Sequence, residues 1–351
     1  MTSIDGNRIA DPEDVMAHAN QEMHMPCRIC GSVGKRRFFT AKERQFGMGD
    51  EFTYFECGNC GSLCINSIPP QLSKYYPPHY YSFMGSDGQK PGDIGWLRRK
   101  LRAHRSMFNI YGSDMLGALV LRLGTDYFNY PWSWFRAAGV TPSSAILDNG
   151  CGAGALLRSL RDQGFTNLSG VDPFISESIN EPYLQITKGE IFDLKGPYDL
   201  VMFHHSLEHV PEPEKYLKAA AAICAPGGVV LVRIPVADGY GWREFGEMWF
   251  PLDAPRHLAI PSKHSMKDLG VRCGLVHEST VCDSEAVCFW GSELYKRGLP
   301  AVRSDGRDLI STDNPFTEEE MQMFRKKARE INEADDGDLA LFIFRKPRTS
   351  E

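Results

Sequence analysis

The stretch Ala145-Ile-Leu-Asp-Asn-Gly-Cys-Gly-Ala-Gly154 decides the fold. It joins a short apolar run, which predicts a buried strand, to three closely spaced glycines. Because glycine has no Cβ, this loop can turn sharply and approach a ligand. The helix predicted over residues 155–163 points its positive N-terminal end at the same place. A second acid, Asp172, ends the next predicted strand, where a carboxylate can bind a ribose diol.

The acid at position 148 narrows the choice of ligand. Gly150, Gly152 and Ala155 also satisfy the pattern of dinucleotide-binding loops, so an enzyme that binds NAD or FAD is an alternative. The carboxylate of Asp148 would repel a pyrophosphate, whereas it would attract the ammonium of an amino acid. The loop therefore favours a zwitterionic ligand with an amino-acid part.

Four segments together resemble the successive signatures of class I S-adenosylmethionine (SAM)-dependent methyltransferases. They are residues 147–154, 171–173, 204–211 and 225–232. The resemblance implies a Rossmann-like α/β fold with a seven-stranded sheet, and SAM as the cofactor. The implied cofactor residues are Asp148, Gly150, Gly152 and Gly154 for the methionine part, Asp172 for the ribose, Glu190 and Ile191 for the adenine, and His204 below the methyl group.

Alternating strands and helices are predicted through this part of the chain. The predicted strands lie near residues 144–148, 167–172, 184–188, 198–203, 228–234, 276–282 and 339–345. Such alternation requires a largely parallel sheet with helices on both faces. The clearest helix, over residues 214–224, is rich in alanine. An exposed amphipathic helix over 317–330 precedes the last strand.

Four cysteines form two Cys-x-x-Cys-Gly turns, and these predict a metal site. They are Cys27, Cys30, Cys57 and Cys60. Two thiolate pairs on tight turns can close a tetrahedral site, so we expect a structural zinc ribbon. A pair of disulfides is the alternative, which a cytoplasmic protein disfavours. Cys64 is a spare thiol that could replace one ligand.

The sequence divides into four expected parts: an N-terminal tail at 1–25, the zinc ribbon at 26–68, a linker and helical lid region at 69–125, and a methyltransferase domain at 126–351. The ribbon, a tyrosine-rich segment over 72–83 and the methyltransferase signatures together resemble bacterial methyltransferases of surface-polysaccharide and specialised-sugar biosynthesis. The tyrosines are either a lid that stacks on sugars or packing between the ribbon and the catalytic domain.

Several side chains are candidates for catalysis. Methyl transfer to a hydroxyl needs alignment of donor and acceptor and removal of a proton, for which histidine is suited near neutral pH. His205, Glu208 and His209 follow the fourth predicted strand, and His257 follows the fifth. His205 and His257 are the main candidates for the general base, with Glu208 next, and His209 is either catalytic or structural.

The charge and hydropathy of the sequence indicate whether nucleic acids, anionic ligands or membranes are expected partners. The net charge of −6 argues against a large nucleic-acid surface. Five basic residues between 98 and 105 predict a helix with a solvated face, or a landing surface for an anionic acceptor. No apolar run is long enough for a membrane span, and the first 25 residues are too acidic for a signal peptide, so we expect a cytoplasmic protein. The sequence indicates no particular oligomeric state.

The favoured function is SAM-dependent methyl transfer to a small-molecule or glycan acceptor, above all to a sugar hydroxyl. One alternative is a ribosomal or transfer RNA methyltransferase, in which the ribbon and the basic helix grip RNA. The other is a non-catalytic scaffold that binds SAM.

Overall fold

The computed structural model describes residues 25–76, 95–122 and 131–348 of the 351-residue chain. Three sequence predictions fall wholly or mainly on other residues: the tail at 1–25, the tyrosines within 77–83, and a Gly/Asp/Pro stretch at 85–95 that predicts the linker part of the 69–125 region. To that extent these predictions lie outside the described residues.

The larger sheet has eight strands in the order β11-β12-β9-β8-β4-β5-β7-β6. The strands from β9 to β7 are parallel, whereas β12 is antiparallel to both neighbours and β6 is antiparallel to β7. The strands are β4 Ile146–Asn149, β5 Leu168–Asp172, β6 Ile179–Glu181, β7 Leu184–Lys188, β8 Tyr198–His204, β9 Cys224–Pro235, β11 Val276–Cys282 and β12 Leu339–Arg345. The seven predicted strands are all present, β6 is an addition, and the Rossmann-like α/β fold is confirmed.

Helices cover both faces of this sheet. They are α1 Trp96–Tyr111, α2 Met115–Arg122, α3 Trp132–Ala138, α4 Ala155–Asp162, α5 Pro213–Ile223, α6 Tyr240–Phe245, α7 Lys263–Arg272, α8 Val287–Lys296 and α9 Glu318–Glu333. Consecutive residues of a strand point to opposite faces, so Leu200 and Val201 of β8 join two different apolar cores. None of the helices in the described ranges is long and apolar enough to cross a membrane.

A smaller antiparallel sheet contains the cysteine turns and has the order β1-β2-β3-β10. Its strands are β1 Arg36–Lys42, β2 Glu51–Cys57, β3 Leu63–Ile65 and β10 Ala259–Ile260. Since β10 follows β9 in the chain, the expected ribbon and the expected methyltransferase domain share this sheet. The Ile65 amide donates to the Leu258 carbonyl at 3.0 Å, and the Tyr54 hydroxyl donates to the His257 carbonyl at 2.8 Å.

The basic helix α1 uses part of its charge in packing. Arg99 and Arg105 are buried. Arg105 donates to the Gln163 side chain at 2.8 Å, and Arg102 donates to the Asp162 carbonyl at 2.7 Å. Because α4 starts at the glycine loop and runs back along the sheet, its C-terminal end lies at the opposite edge. Helix α1 of the expected lid region therefore packs away from that loop, and the predicted solvated face excludes Arg99 and Arg105.

Candidate functional site

The glycine loop joins β4 to α4, and two of its glycines are required by close contacts. A Cβ on Gly150 would lie 2.4 Å from the Cβ of Ser206, and the φ of +75° is itself unfavourable for other residues. A Cβ on Gly154 would lie 2.3 Å from Cδ1 of Ile186. Gly150 thus shapes the loop beside Ser206, whereas Gly154 lets α4 pack closely on the sheet.

Two buried acids lie next to this loop. Burial, and then the negative charge of Asp172, raise the pKa of Asp148 to about 8. Oδ1 of Asp148 has no hydrogen-bond partner among the described residues. The carboxylate of Asp172, in contrast, accepts hydrogen bonds from the amides of Gly152 at 2.9 Å and Phe174 at 2.8 Å. Asp148 is therefore a buried acid that a cationic partner would stabilise, which fits the ammonium of SAM.

A first cavity of about 260 Å³ lies beside the loop, and we call it the cofactor cavity. Three of the residues expected to bind the cofactor line it: Gly150, Asp172 and Glu190. His205 and His209 line it as well. The structure thus brings the loop, the ribose-binding acid and two candidate catalytic histidines around one space.

A second cavity of about 530 Å³, which we call the acceptor cavity, lies on the other side of His205. Its wall includes His204 and His257. Its other side chains are mainly apolar, with carboxylates among them; they include Phe46, Phe250, Val287, Ile310, Asp253, Glu285 and Asp308. His205 lines both cavities, so ligands held in the two spaces would meet at this residue.

His205 directly follows β8 and has a φ of +54°, which is uncommon for a residue with a Cβ. Arg233 of β9 donates a hydrogen bond to its Nε2. Its Nδ1 lies 3.4 Å from Oε1 of Glu208. Burial, and then the positive charges of Arg233 and His257, hold the pKa of His205 well below its usual value. The imidazole is therefore neutral at neutral pH, with Nε2 already accepting a hydrogen bond.

Glu208, His209 and His257 form a cluster beside His205. Each residue offers a ligand-type atom, and these atoms lie within 4.8 Å of one another. Burial, and then the charge of His257, lower the pKa of His209 to about 4, so this imidazole is also neutral at neutral pH. All four predicted catalytic residues are thus brought together between the two cavities.

Arg256 is a structural residue at the edge of this site. Its guanidinium is fully buried and lies 3.0 Å from Oε1 of Glu43 and 2.6 Å from Oδ1 of Asp253. It also donates to the Tyr75 carbonyl at 3.0 Å. Burial alone would raise the pKa of Asp253, but the charge and hydrogen bonds of Arg256 hold it below its usual value. The acceptor cavity therefore contains an ionised carboxylate.

The four predicted ribbon cysteines converge on one point. Their Sγ atoms lie within 4.8 Å of one another, and none forms a disulfide. The distances from Cys27 to Cys60 and from Cys30 to Cys57 are both 3.7 Å, close to the ~3.8 Å edge of a tetrahedron with Zn–S bonds of about 2.3 Å. Sγ of Cys64 lies 3.9 Å from Sγ of Cys27, next to the cluster. The donor set and spacing fit a zinc ion.

Comparison with known proteins identifies the central part of the chain. A family model described as "Methyltransferase domain" matches residues 133–279, which include the glycine loop, Asp172 and the histidine cluster. This part of the chain is therefore similar to methyltransferase domains.

Curated relatives of this methyltransferase domain carry a common name. The chain is 32% identical over 118 residues to a ubiquinone biosynthesis O-methyltransferase of Escherichia coli, covering 30% of this chain and 49% of the relative. It is 36% identical over 109 residues to the protein of the same name from Erwinia tasmaniensis, covering 28% and 44%. The chain thus spans about half the length of the curated relatives it matches. A putative sarcosine dimethylglycine methyltransferase structure from Galdieria sulphuraria is 18% identical, covers 70% of this chain and 98% of that chain, and has a TM-score of 0.39.

Five expected cofactor residues do not line the cofactor cavity of the methyltransferase domain: Asp148, Gly152, Gly154, Ile191 and His204. Asp148 and Gly152 are neighbours of Asp172, which does line the cavity. Ile191 is fully buried in the apolar core, and His204 lines the acceptor cavity instead.

Sequence reasoning missed other residues of the site. Tyr76 lines the cofactor cavity, its ring stacks on Phe174 with 5.9 Å between centroids, and its hydroxyl lies 3.2 Å from Nδ1 of His209. The tyrosine-rich segment was the signal for it, since both a lid and packing were expected there. Arg233, which touches His205, had no sequence signal because it lies inside an apolar strand.

Proposed function

We propose that the protein transfers a methyl group from SAM to a hydroxyl oxygen of a small-molecule or glycan acceptor. The observation that carries this proposal is that His205 lines both the cofactor cavity and the acceptor cavity. A donor in the first and an acceptor in the second would face each other there. Alignment of this kind supplies much of the acceleration in a displacement reaction.

The cofactor side is supported by residues that suit each part of SAM. Asp148 would hold the ammonium, Gly150 lets the backbone approach, and Asp172 and Glu190 lie where the ribose and the adenine are expected. SAM supplies a methyl group on a sulfonium sulfur, and its transfer to a hydroxyl leaves S-adenosylhomocysteine and a proton. That proton must then be taken up by a side chain or released to solvent.

The histidines differ in their capacity for this task. Nδ1 of His257 lies 2.7 Å from the Pro251 carbonyl and donates a hydrogen bond to it, so Nε2 is the ring nitrogen left to face the acceptor. Nε2 of His205 already accepts a hydrogen bond from Arg233. This difference supports His257 as the group that acts on the acceptor hydroxyl, and His205 as a positioning residue between the two ligands.

The acceptor cavity supports a hydroxylated ring as substrate. Apolar side chains such as Phe46 and Phe250 can pack against the faces of a ring, and carboxylates such as Asp253 and Glu285 can accept hydrogen bonds from its hydroxyls. A sugar, as expected from the sequence resemblance, meets this description. So does a phenol, and the word O-methyltransferase in the names of the relatives supports oxygen as the acceptor atom.

The ribbon is proposed to bind one structural zinc ion through Cys27, Cys30, Cys57 and Cys60. Its contacts with the methyltransferase domain support a structural role, because Arg272 donates to the Ile29 carbonyl at 2.5 Å and Ser262 donates to the Cys60 carbonyl at 2.7 Å. The burial of Arg99 and Arg105 leaves α1 with less charge for RNA than its sequence suggests.

Labelled-methyl transfer tests the proposal. The full-length protein is incubated with SAM carrying a labelled methyl group and with separate pools of nucleotide sugars, glycans, phenols and RNA, and labelled products are analysed by mass spectrometry. We expect an O-methylated small molecule or glycan. Labelled RNA would instead indicate an RNA methyltransferase, and tight SAM binding with no labelled product in any pool would indicate a scaffold.

A further inference from the structure

Glu208 is a fully buried carboxylate next to histidines that line the two cavities, and it has no hydrogen-bond partner among the described residues. Neither oxygen of Glu208 accepts a hydrogen bond from any described residue. The nitrogens beside its Oε1 are Nδ1 of His205 at 3.4 Å and Nε2 of His257 at 3.9 Å. Burying an ionised carboxylate is costly unless it is paired or bound to a metal. A cation bound at this point would supply the partner that the Glu208 carboxylate lacks among the described residues.

Two imidazoles next to Glu208 are oriented in the way that metal ligands are. Nδ1 of His257 lies 2.7 Å from the Pro251 carbonyl, and Nδ1 of His209 lies 3.0 Å from the Arg256 carbonyl. An imidazole that donates one N–H to a carbonyl has its tautomer fixed, and its other nitrogen carries a lone pair. Such hydrogen bonds are the usual support of histidines that bind metals.

The three side chains also meet the distance requirement. Ligand-type atoms of Glu208, His209 and His257 lie within 4.8 Å of one another, so a single ion can contact all three. Of these residues, His209 lines the cofactor cavity and His257 lines the acceptor cavity. An ion here would lie where the two ligands meet.

We propose that Glu208, His209 and His257 bind one divalent transition-metal ion. Two imidazoles and one carboxylate suit Mn²⁺, Fe²⁺, Co²⁺, Ni²⁺ or Zn²⁺ better than Ca²⁺ or Mg²⁺, which prefer oxygen ligands alone. This site is distinct from the ribbon, whose four thiolates select zinc.

The role of the ion rests on the proposed function. A Lewis acid in contact with the acceptor oxygen would lower the pKa of the hydroxyl. The O–H bond then breaks and the proton leaves to solvent. The new O–C bond forms as the S–C bond breaks, and that electron pair stays on sulfur. On this account His257 acts on the acceptor through the ion rather than by taking the proton directly.

Manganese binding tests the site without any methyl acceptor. Mn²⁺ is added to full-length protein that has been dialysed against EDTA, and bound ion is measured by the loss of the free Mn²⁺ EPR signal. Mn²⁺ binds weakly to thiolates, so the ribbon does not interfere. We expect one Mn²⁺ per chain in the wild type, and no stoichiometric binding in Glu208→Gln or His257→Gln. His264→Gln, which changes an exposed histidine on α7, is the matched control and should bind as the wild type does.

A second measurement guards against variants that fail to fold. Pulsed EPR of Mn²⁺ bound to the wild type should show coupling to imidazole nitrogen. Absence of stoichiometric binding, absence of nitrogen coupling, or unchanged binding in both variants would overturn the site. The Mn²⁺ measurements use neither SAM nor a methyl acceptor. Their failure would overturn the metal site alone, and labelled-methyl transfer tests the proposed function separately.

Discussion

Oε1 of Glu43 lies 3.0 Å from the guanidinium of Arg256, and both side chains are fully buried. Glu43 follows β1 of the smaller sheet, whereas Arg256 lies in the methyltransferase domain. Removal of Glu43 would leave the buried guanidinium with one carboxylate, Asp253 at 2.6 Å, in place of two, and would remove the acceptor of the Met48 amide. We therefore expect Glu43→Ala to lower the free energy of unfolding by about 1–3 kcal/mol.

Urea denaturation measures this effect. The control is Glu51→Ala, because the ion pair of Glu51 with Lys42 on the same sheet is exposed. Such pairs contribute less than about 1 kcal/mol. Equal losses in the two variants would mean that burial of the Glu43–Arg256 pair has no special importance.

Zinc analysis tests the ribbon. Protein purified without added metal should contain one zinc ion per chain, and removal of the zinc by a strong chelator should lower the unfolding temperature, because metal binding is coupled to folding. Cys60→Ser should lose the metal. Cys64→Ala should retain it, although this thiol also lies near the cluster. Folded wild-type protein without zinc, or loss of zinc in Cys64→Ala alone, would refute the ligand assignment.

Gly150→Ala should impair SAM binding, because its Cβ would lie 2.4 Å from the Cβ of Ser206. Gly139→Ala is a matched control, since Gly139 has a similar φ of +71° but no atom within 4 Å of the added Cβ. Both variants pay about 1–2 kcal/mol for the left-handed backbone. Only Gly150→Ala should weaken SAM affinity in calorimetry; equal affinities would show that the loop tolerates the methyl group.

SAM binding should release a proton at neutral pH. With a pKa of about 8, Asp148 is mostly protonated in the free protein, and the ammonium of SAM would favour its carboxylate. Affinity should therefore rise as the pH increases toward about 8, and binding near pH 7 should release about one proton. Calorimetry in two buffers of different ionisation enthalpy measures the release. Asp148→Asn should release correspondingly less, and identical release in the two proteins would contradict the assignment.

His257→Gln should reduce turnover by about 100-fold to 10,000-fold at saturating SAM, because the acceptor hydroxyl would no longer be activated. Its SAM affinity should change little, since His257 lines the acceptor cavity and not the cofactor cavity. His277→Gln, on β11, is the control and should keep wild-type turnover. Near wild-type turnover of both His257→Gln and His205→Ala across neutral pH would remove the histidines from the mechanism.

The central strands β4, β5 and β8 could be predicted because each is a mainly apolar run that leads into an acid or a histidine at the ligand edge of the sheet. The strands β6 and β10 were missed since they are only three and two residues long, too short for a periodic pattern. Arg233 was missed for a different reason. Its charge is balanced by Asp283 at 2.6 Å and Glu285 at 2.7 Å, which lie some fifty positions later in the chain.

Three of the four residues of the candidate catalytic cluster could be predicted from their position after a strand. His205, Glu208 and His209 are neighbours in sequence and follow a strand that ends at the ligand edge of the sheet. His257 reaches them only because the chain returns through β10 to the smaller sheet. Which nitrogen of each histidine remains available depends on the carbonyl that the fold brings next to the ring, Pro251 for His257 and Arg256 for His209, and no sequence pattern specifies that.

The pairing of β3 with β10 limits how residues 26–68 can be exchanged for another module, in evolution or by design. Main-chain hydrogen bonds cross the expected boundary at residue 68, and Tyr54 of β2 holds the carbonyl of His257. A chimaera that exchanged residues 26–68 for a foreign zinc-binding module would therefore misplace His257, the proposed catalytic side chain, unless the new strand edge matched Ala259–Ile260. The two parts must evolve as one unit, and recombination at this boundary would be selected against.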